Sequence, residues 1–154
     1  MTVLKEDNIL IIGYGNQTRQ DDSLGPYVAE ALEKKLPNID IEITQEIGPE
    51  FCEELINYGL VIFIDAGVEQ EEELIIRELS SHFRSTPFSH HMHPETLLAI
   101  TERLYNRCPK AYLVSIKGYS FDFGFEISSK AKTSAERAIE EVERICMNWQ
   151  SQKK

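Results

Sequence analysis

Two short apolar runs, "NILIIG" (8–13) and "GLVIFIDA" (59–66), constrain the fold more than any other feature of the chain. Neither alternates with polar residues, so each reads as a strand covered on both faces. Between them, Leu24, Val28, Ala31, Leu32 and Leu36 recur at helical spacing over 23–36, until Pro37-Asn38 breaks the pattern. "IDIEIT" (39–44) alternates as a half-buried strand, and Gly48-Pro49 opens a second helix with Phe51, Leu55 and Ile56 on its inner face. Buried strands alternating with helices are the pattern of a parallel sheet.

The second half keeps the alternation with one exception. "ELIIREL" (73–79) follows the buried strand after an acidic turn too short for a crossover helix, so it is expected to pair antiparallel at a sheet edge. Residues 80–93 have no period and read as an exposed loop. Pro94 suits the first turn of a helix running to about 106. "AYLVSIKGYS" (111–120) is a further strand, residues 132–149 a final amphipathic helix, and 150–154 a frayed tail. The expected fold is a single three-layer α/β domain over 1–154. Its mostly parallel, twisted five-stranded sheet has one antiparallel edge strand and helices on both faces.

A net charge of −10 argues against nucleic acid and anionic lipid as partners, since both need a compensating Lys/Arg surface. The three cysteines, Cys52, Cys108 and Cys146, form no CxxC pair and no disulfide framework. The N-terminus carries neither a signal-peptide pattern nor a span-length apolar run, so a cytoplasmic protein is expected.

In open α/β sheets ligands bind beyond the carboxyl ends of the strands, where strand order reverses. Three features project there: Asn16, Asp21 and Asp22 in the loop after the first strand, Asp65 at the end of the third, and His90, His91 and His93 before the third helix. Carboxylates and imidazoles in that mixture suit a borderline divalent ion such as zinc, nickel or manganese. Each has a plainer reading. Taken alone, Asp21-Asp22 would cap the following helix and favour its dipole, and Asp65 would form a turn. Three of the chain's four histidines within four positions raise metal binding above a merely solvated loop.

A dinucleotide site is the obvious alternative for Gly13-Tyr14-Gly15. The third glycine is missing, however, and Asp21 and Asp22 would repel a pyrophosphate at the helix N-terminus that ought to attract it. Glu46 after "ITQ" could mimic the acid that holds a ribose, but the phosphate site stays wrong. No G-x-S-x-G elbow is present and the cysteines lie away from the expected rim, so any bond breaking falls to a metal and water.

These motifs together resemble the nickel–iron hydrogenase maturation endopeptidases. The opening "GYGNQTRQDDSLG" (13–25) matches that family's G-x-G-N, four residues, Asp-Asp/Glu, two residues, Gly, with Ser23 where many relatives have glycine. The resemblance continues through Asp65-Ala66, "SHHMHPETLLAI" (89–100) and "GYSFDFGFEIS" (118–128), and so covers essentially the whole domain. "TQEIGPE" (44–50) resembles members that serve bidirectional, NAD-coupled hydrogenases. The resemblance implies an endopeptidase that removes the C-terminal extension of a hydrogenase large-subunit precursor, its partner, once nickel is inserted. It implies a monomer that contacts the precursor's nickel, or another divalent ion, through Asp22, Asp65 and His90. Aligning "PETLLAI" without a gap selects His90, with His91 and His93 close by. Asp21 or Asp22 is implied as general base, and Asn16, Gln45 and Gly48 as contacts to the substrate segment. A non-catalytic nickel checkpoint on the same fold is the reading from a different class.

Overall fold

The sheet order places the first strand between the second and the third. In a computed structural model, which describes residues 5–84 and 92–152, the strands are β1 (Lys5–Tyr14), β2 (Asp40–Thr44), β3 (Tyr58–Gly67), β4 (Leu74–Glu78) and β5 (Lys110–Lys117). They form one sheet in the order β2-β1-β3-β5-β4, parallel throughout except for β4, which pairs antiparallel to β5 at the edge. The chain leaves β1 first toward β2 and later returns to its other side with β3, so the order reverses between β1 and β3. This is the topological switch point at which α/β sheets open a crevice.

Period two along the strands divides the core. Ile9 and Ile11 of β1, Leu60, Ile62 and Ile64 of β3, and Val114 and Ile116 of β5 face α1 (Leu24–Lys35) and α4 (Ser129–Gln152). Leu10 and Ile12 of β1, with Val61 and Phe63 of β3, face α2 (Cys52–Leu55) and α3 (Pro94–Tyr105). Both faces are therefore covered, which is why the central strands read as unbroken apolar runs. Cys52 and Cys146 are buried among these apolar groups as small hydrophobes.

Several boundaries differ from the sequence reading, each for a local reason. The second helix is one 3₁₀ turn, Pro49–Phe51, followed by a single α turn, and it buries Cys52 with Leu55. The final helix begins at Ser129, because Ser128 receives the Ala131 and Lys132 N–H groups on its hydroxyl and carbonyl oxygens. It also runs on to Gln152, past the expected frayed start at 150, and Trp149 near its end packs against the core. β5 stops at Lys117, and Gly118 N–H turns to the Gly67 carbonyl at 2.9 Å. Among the described residues no helix is long and apolar enough to cross a membrane.

The opening glycine motif serves helix packing. A Cβ at Gly25 would stand 2.4 Å from the carbonyl oxygens of both Ile64 and Tyr14, so α1 starts pressed against β1 and β3. Gly25 thus provides the close helix–strand approach for which a dinucleotide fold uses its third glycine. Gly15, at φ +150°, lies so close to the Asp22 backbone that a side chain has no room. The tight pair of contacts folds 16–23 back over the end of the sheet.

Candidate active site

The carboxyl ends of β1 and β3, the loop after β2 and the start of α3 enclose a cavity of about 870 Å³. Strand register explains who faces it. Ile12 is opposite Phe63, so the next outward pair on that face is Tyr14 and Asp65; Asp65 is in turn opposite Ser115 on β5. Tyr14, Asp65 and Ser115 form one row on the cavity wall, and all three line it. Arg77 of β4, opposite Leu113, belongs to the row beneath on the same face.

Asp65 is poorly compensated. Its Oδ1 accepts the Ala66 N–H at 2.7 Å, and the Tyr14 hydroxyl donates to its carboxylate. Burial nevertheless pushes the carboxyl up to about 7; the negative charge of Asp22 adds to the rise, while those two donors oppose it. Burial, and then the Asp65 charge, hold the Tyr14 phenol well above its usual range, so it stays a protonated donor. Asp22 lines the same cavity, half-buried, with the Asn16 N–H bonded to its Oδ2 at 3.0 Å.

Asp21 points elsewhere. It is fully buried, outside the residues that line the cavity. Its carboxylate accepts the N–H groups of Tyr119 (2.7 Å), Ser120 (3.2 Å) and Ser128 (2.7 Å), and the Ser128 hydroxyl at 2.6 Å. Burial works against its ionised form, but these donors outweigh it and lower its pKa. Asp21 therefore ties the 3₁₀ turn Gln20–Ser23 to the connection between β5 and α4, and fixes the backbone on which Asp22 stands. The predicted neighbours thus divide: Asp22 faces the cavity, and Asp21 braces it from behind.

The other predicted positions also separate. The Asn16 Oδ1 accepts from the Thr18 N–H and hydroxyl at 2.9 and 2.6 Å, an Asx turn that presents the Asn16 N–H to Asp22. Gln45 is exposed and Gly48 buried, and it is Glu46 and Ile47 between them that line the cavity. His90 and His91 lie outside the described residues. His93 is described, half-buried on the cavity wall as the residue preceding α3. Burial, and then Arg84, lower its pKa and favour the neutral imidazole. Among the described residues no three His, Cys, Asp or Glu side chains cluster as a metal-binding set. Two carboxylates with one poorly compensated charge are still a donor set that suits a hard or borderline cation.

Sequence reasoning missed four residues. Tyr14 was hidden inside the glycine motif, although strand parity with Asp65 was available to find it. Arg77 lay in a strand assigned only to an edge, and Arg84 in a loop without period. Glu95 looked like an ordinary first-turn acid, yet it is 2% exposed and receives both arginines on Oε2, at 3.1 Å from Arg77 and 3.0 Å from Arg84.

No protein-family model matches the chain, and no curated protein matches it. Solved structures do. A NiFe hydrogenase maturation protease, HycI, from Thermococcus kodakarensis KOD1 superposes with a TM-score of 0.72 at 24% identity, over 92% of this chain and 93% of that one. The hydrogenase maturating endopeptidase HybD from E. coli gives 0.68 at 24% identity over 88% and 89%. HybD from Thermococcus kodakarensis gives 0.67 at 17% over 90% and 99%. At such identities the likeness establishes the fold, and the fold is that of these maturation proteases.

Proposed function

We propose that the chain is an endopeptidase of hydrogenase maturation, which removes the C-terminal extension of a large-subunit precursor that already carries nickel. One observation carries the reading: Asp22 and Asp65, distant in sequence, meet on one cavity wall with a negative charge that no ion pair among the described residues balances. A cation arriving with the substrate would supply that balance. The shared fold and the motif resemblance support the same choice.

In this account the precursor's nickel is recognised by Asp22, Asp65 and a histidine of the 90–93 segment. His90 is the histidine chosen by the resemblance, and His93 is the described one on the wall. Nickel bound there brings the scissile peptide into the cavity, where a water adds to the carbonyl carbon. Asp22, whose carboxylate accepts one hydrogen bond among the described residues, takes the water's proton and returns it to the leaving amine. Asp21 is already committed to four donors, which leaves the proton transfer to Asp22. The Tyr14 hydroxyl holds Asp65 in place. Because the site is completed by its substrate's own metal, proteins without that metal escape cleavage. The stretch at 44–50 extends the proposal to the large subunit of an NAD-coupled hydrogenase.

The test is to incubate the purified protein with its nickel-loaded precursor and weigh the products. Loss of a C-terminal peptide is expected. A stable complex with an intact precursor would instead mark a nickel checkpoint and end the endopeptidase reading.

A further inference from the structure

Beside the carboxylate row the cavity carries the reverse charge. Arg77 from β4 and Arg84 from the segment after it both line the cavity, and both direct a guanidinium N–H to the same oxygen, Glu95 Oε2. Neither guanidinium makes another hydrogen bond among the described residues, although each has five N–H donors. Two cations on one anion leave an excess positive charge. The sharing of a single oxygen also leaves most of each fork unused. Glu95 meanwhile buries its other oxygen, Oε1, with no partner among the described residues. Satisfying a buried carboxylate alone needs one bidentate arginine, not two converging on half of it.

The cluster is held rigidly. Arg84 is fastened to α3 through its own backbone: its N–H donates to the Thr96 hydroxyl at 2.9 Å, and its carbonyl accepts from that hydroxyl at 3.1 Å. The His82 N–H reaches the Glu95 carbonyl at 3.3 Å. Arg77 sits in the sheet, in the row next to Asp65 and Ser115. Both arginine side chains remain over 40% exposed, and so accessible from the cavity.

We propose that Arg77 and Arg84, set by Glu95, form an anion subsite that binds a carboxylate of the substrate peptide. The inference rests on the endopeptidase reading for its ligand: a C-terminal extension necessarily ends in an α-carboxylate. The cavity would then grip the peptide at two points of opposite sign, the cation at Asp22 and Asp65 and the carboxylate at the arginines. An acidic side chain in the extension offers the same carboxylate chemistry.

The test is to titrate the full chain with three small probes while following the arginine Nε–Hε resonances by NMR. The probes are N-acetylglycine, the 1-amide of N-acetylglutamate and neutral N-acetylglycinamide. Saturable shifts of Arg77 and Arg84 with a carboxylate probe, at least tenfold weaker with the neutral amide, are expected. The tighter carboxylate probe tells the terminal source from the side-chain source. Arg84→Gln and Arg77→Gln should each weaken binding about tenfold with the thermal midpoint of the fold retained. If both variants fail to fold, the wild-type titration decides alone. No saturation, or an equal response to the neutral amide, would overturn the subsite. The probes contain neither nickel nor a bond to cut, so the result is separate from proteolysis. Carboxylate binding by a protein that leaves its precursor intact would sink the endopeptidase reading and leave the subsite standing.

Discussion

Asp21 and Asp65 are two carboxylates withdrawn from water in neighbouring parts of one small domain, and they are perturbed in opposite directions. The region behind the 3₁₀ turn gives Asp21 four donors, three of them from the backbone of 119–128. The cavity gives Asp65 one backbone N–H and a phenol, and sets another carboxylate nearby. Burial is the common factor, and the supply of donors decides the sign. Where the donors are complete, a buried carboxylate is a structural tie. Where they are incomplete, it keeps a raised pKa, and its charge is the one that the proposed substrate cation would balance.

The largest expected effect lies in the cavity. Asp22→Asn and Asp65→Asn should each slow precursor processing by ~10²-fold or more, since both ligand charge and placement are lost; a gel-shift time course on the nickel-loaded precursor checks this. His90→Ala should fall with them, while His93→Ala retains more activity. The reverse ranking would transfer the ligand role to His93.

Asp21→Ala should instead cost stability, by about 3 kcal/mol, because hydrogen bonds to a charged group are lost and buried N–H groups are left unpaired. Urea denaturation would show a lower midpoint with an unchanged slope. If Asp21→Ala unfolds no more easily than the wild type, the division between tie and site is wrong.

Acid and base should separate the pair next. Asp21 has a lowered folded-state pKa, so its stabilisation is present above the unfolded value and lost as pH falls through the folded one. Asp65 has a raised one, so its ionisation costs stability as pH climbs from about 4 to about 7. In chelator, Asp65→Asn should therefore raise the thermal midpoint by a few degrees at pH 8 and by nothing at pH 4. Scanning calorimetry at the two pH values reads the difference. A variant that melts lower at pH 8 would show that the Asp65 charge is already balanced.

Tyr14→Phe is the smallest change. It removes a donor that lowers the Asp65 pKa, so that pKa should rise further from about 7, by roughly one unit if the lost bond is worth about 1.4 kcal/mol. Carboxyl-carbon NMR follows it directly. A pKa that stays put would mean that the phenol contributes nothing to the wall.

How much of this was legible in the sequence follows from which interactions are periodic. The two apolar runs, the helical spacing of 23–36 and the short acidic turn before 73 carried the sheet, its parallel sense and its antiparallel edge. Asp22 and Asp65 were legible because strand ends and a switch point predict a rim. That Asp21 and Asp22 face opposite ways was not, since it depends on Ser128 and the N–H groups of 119–120, about a hundred positions away. The Arg77, Arg84 and Glu95 cluster was equally hidden. It requires the β4 register and the close docking of 82–84 on α3, neither of which leaves a period in the sequence.

The most direct measurement is the mass of the precursor after incubation in four combinations, nickel-loaded or nickel-free with the wild type or Asp65→Asn. The account predicts a shortened product only from the nickel-loaded precursor with the wild-type protein. Equal cleavage of the nickel-free precursor, or full cleavage by Asp65→Asn, would contradict a site completed by the metal its substrate brings.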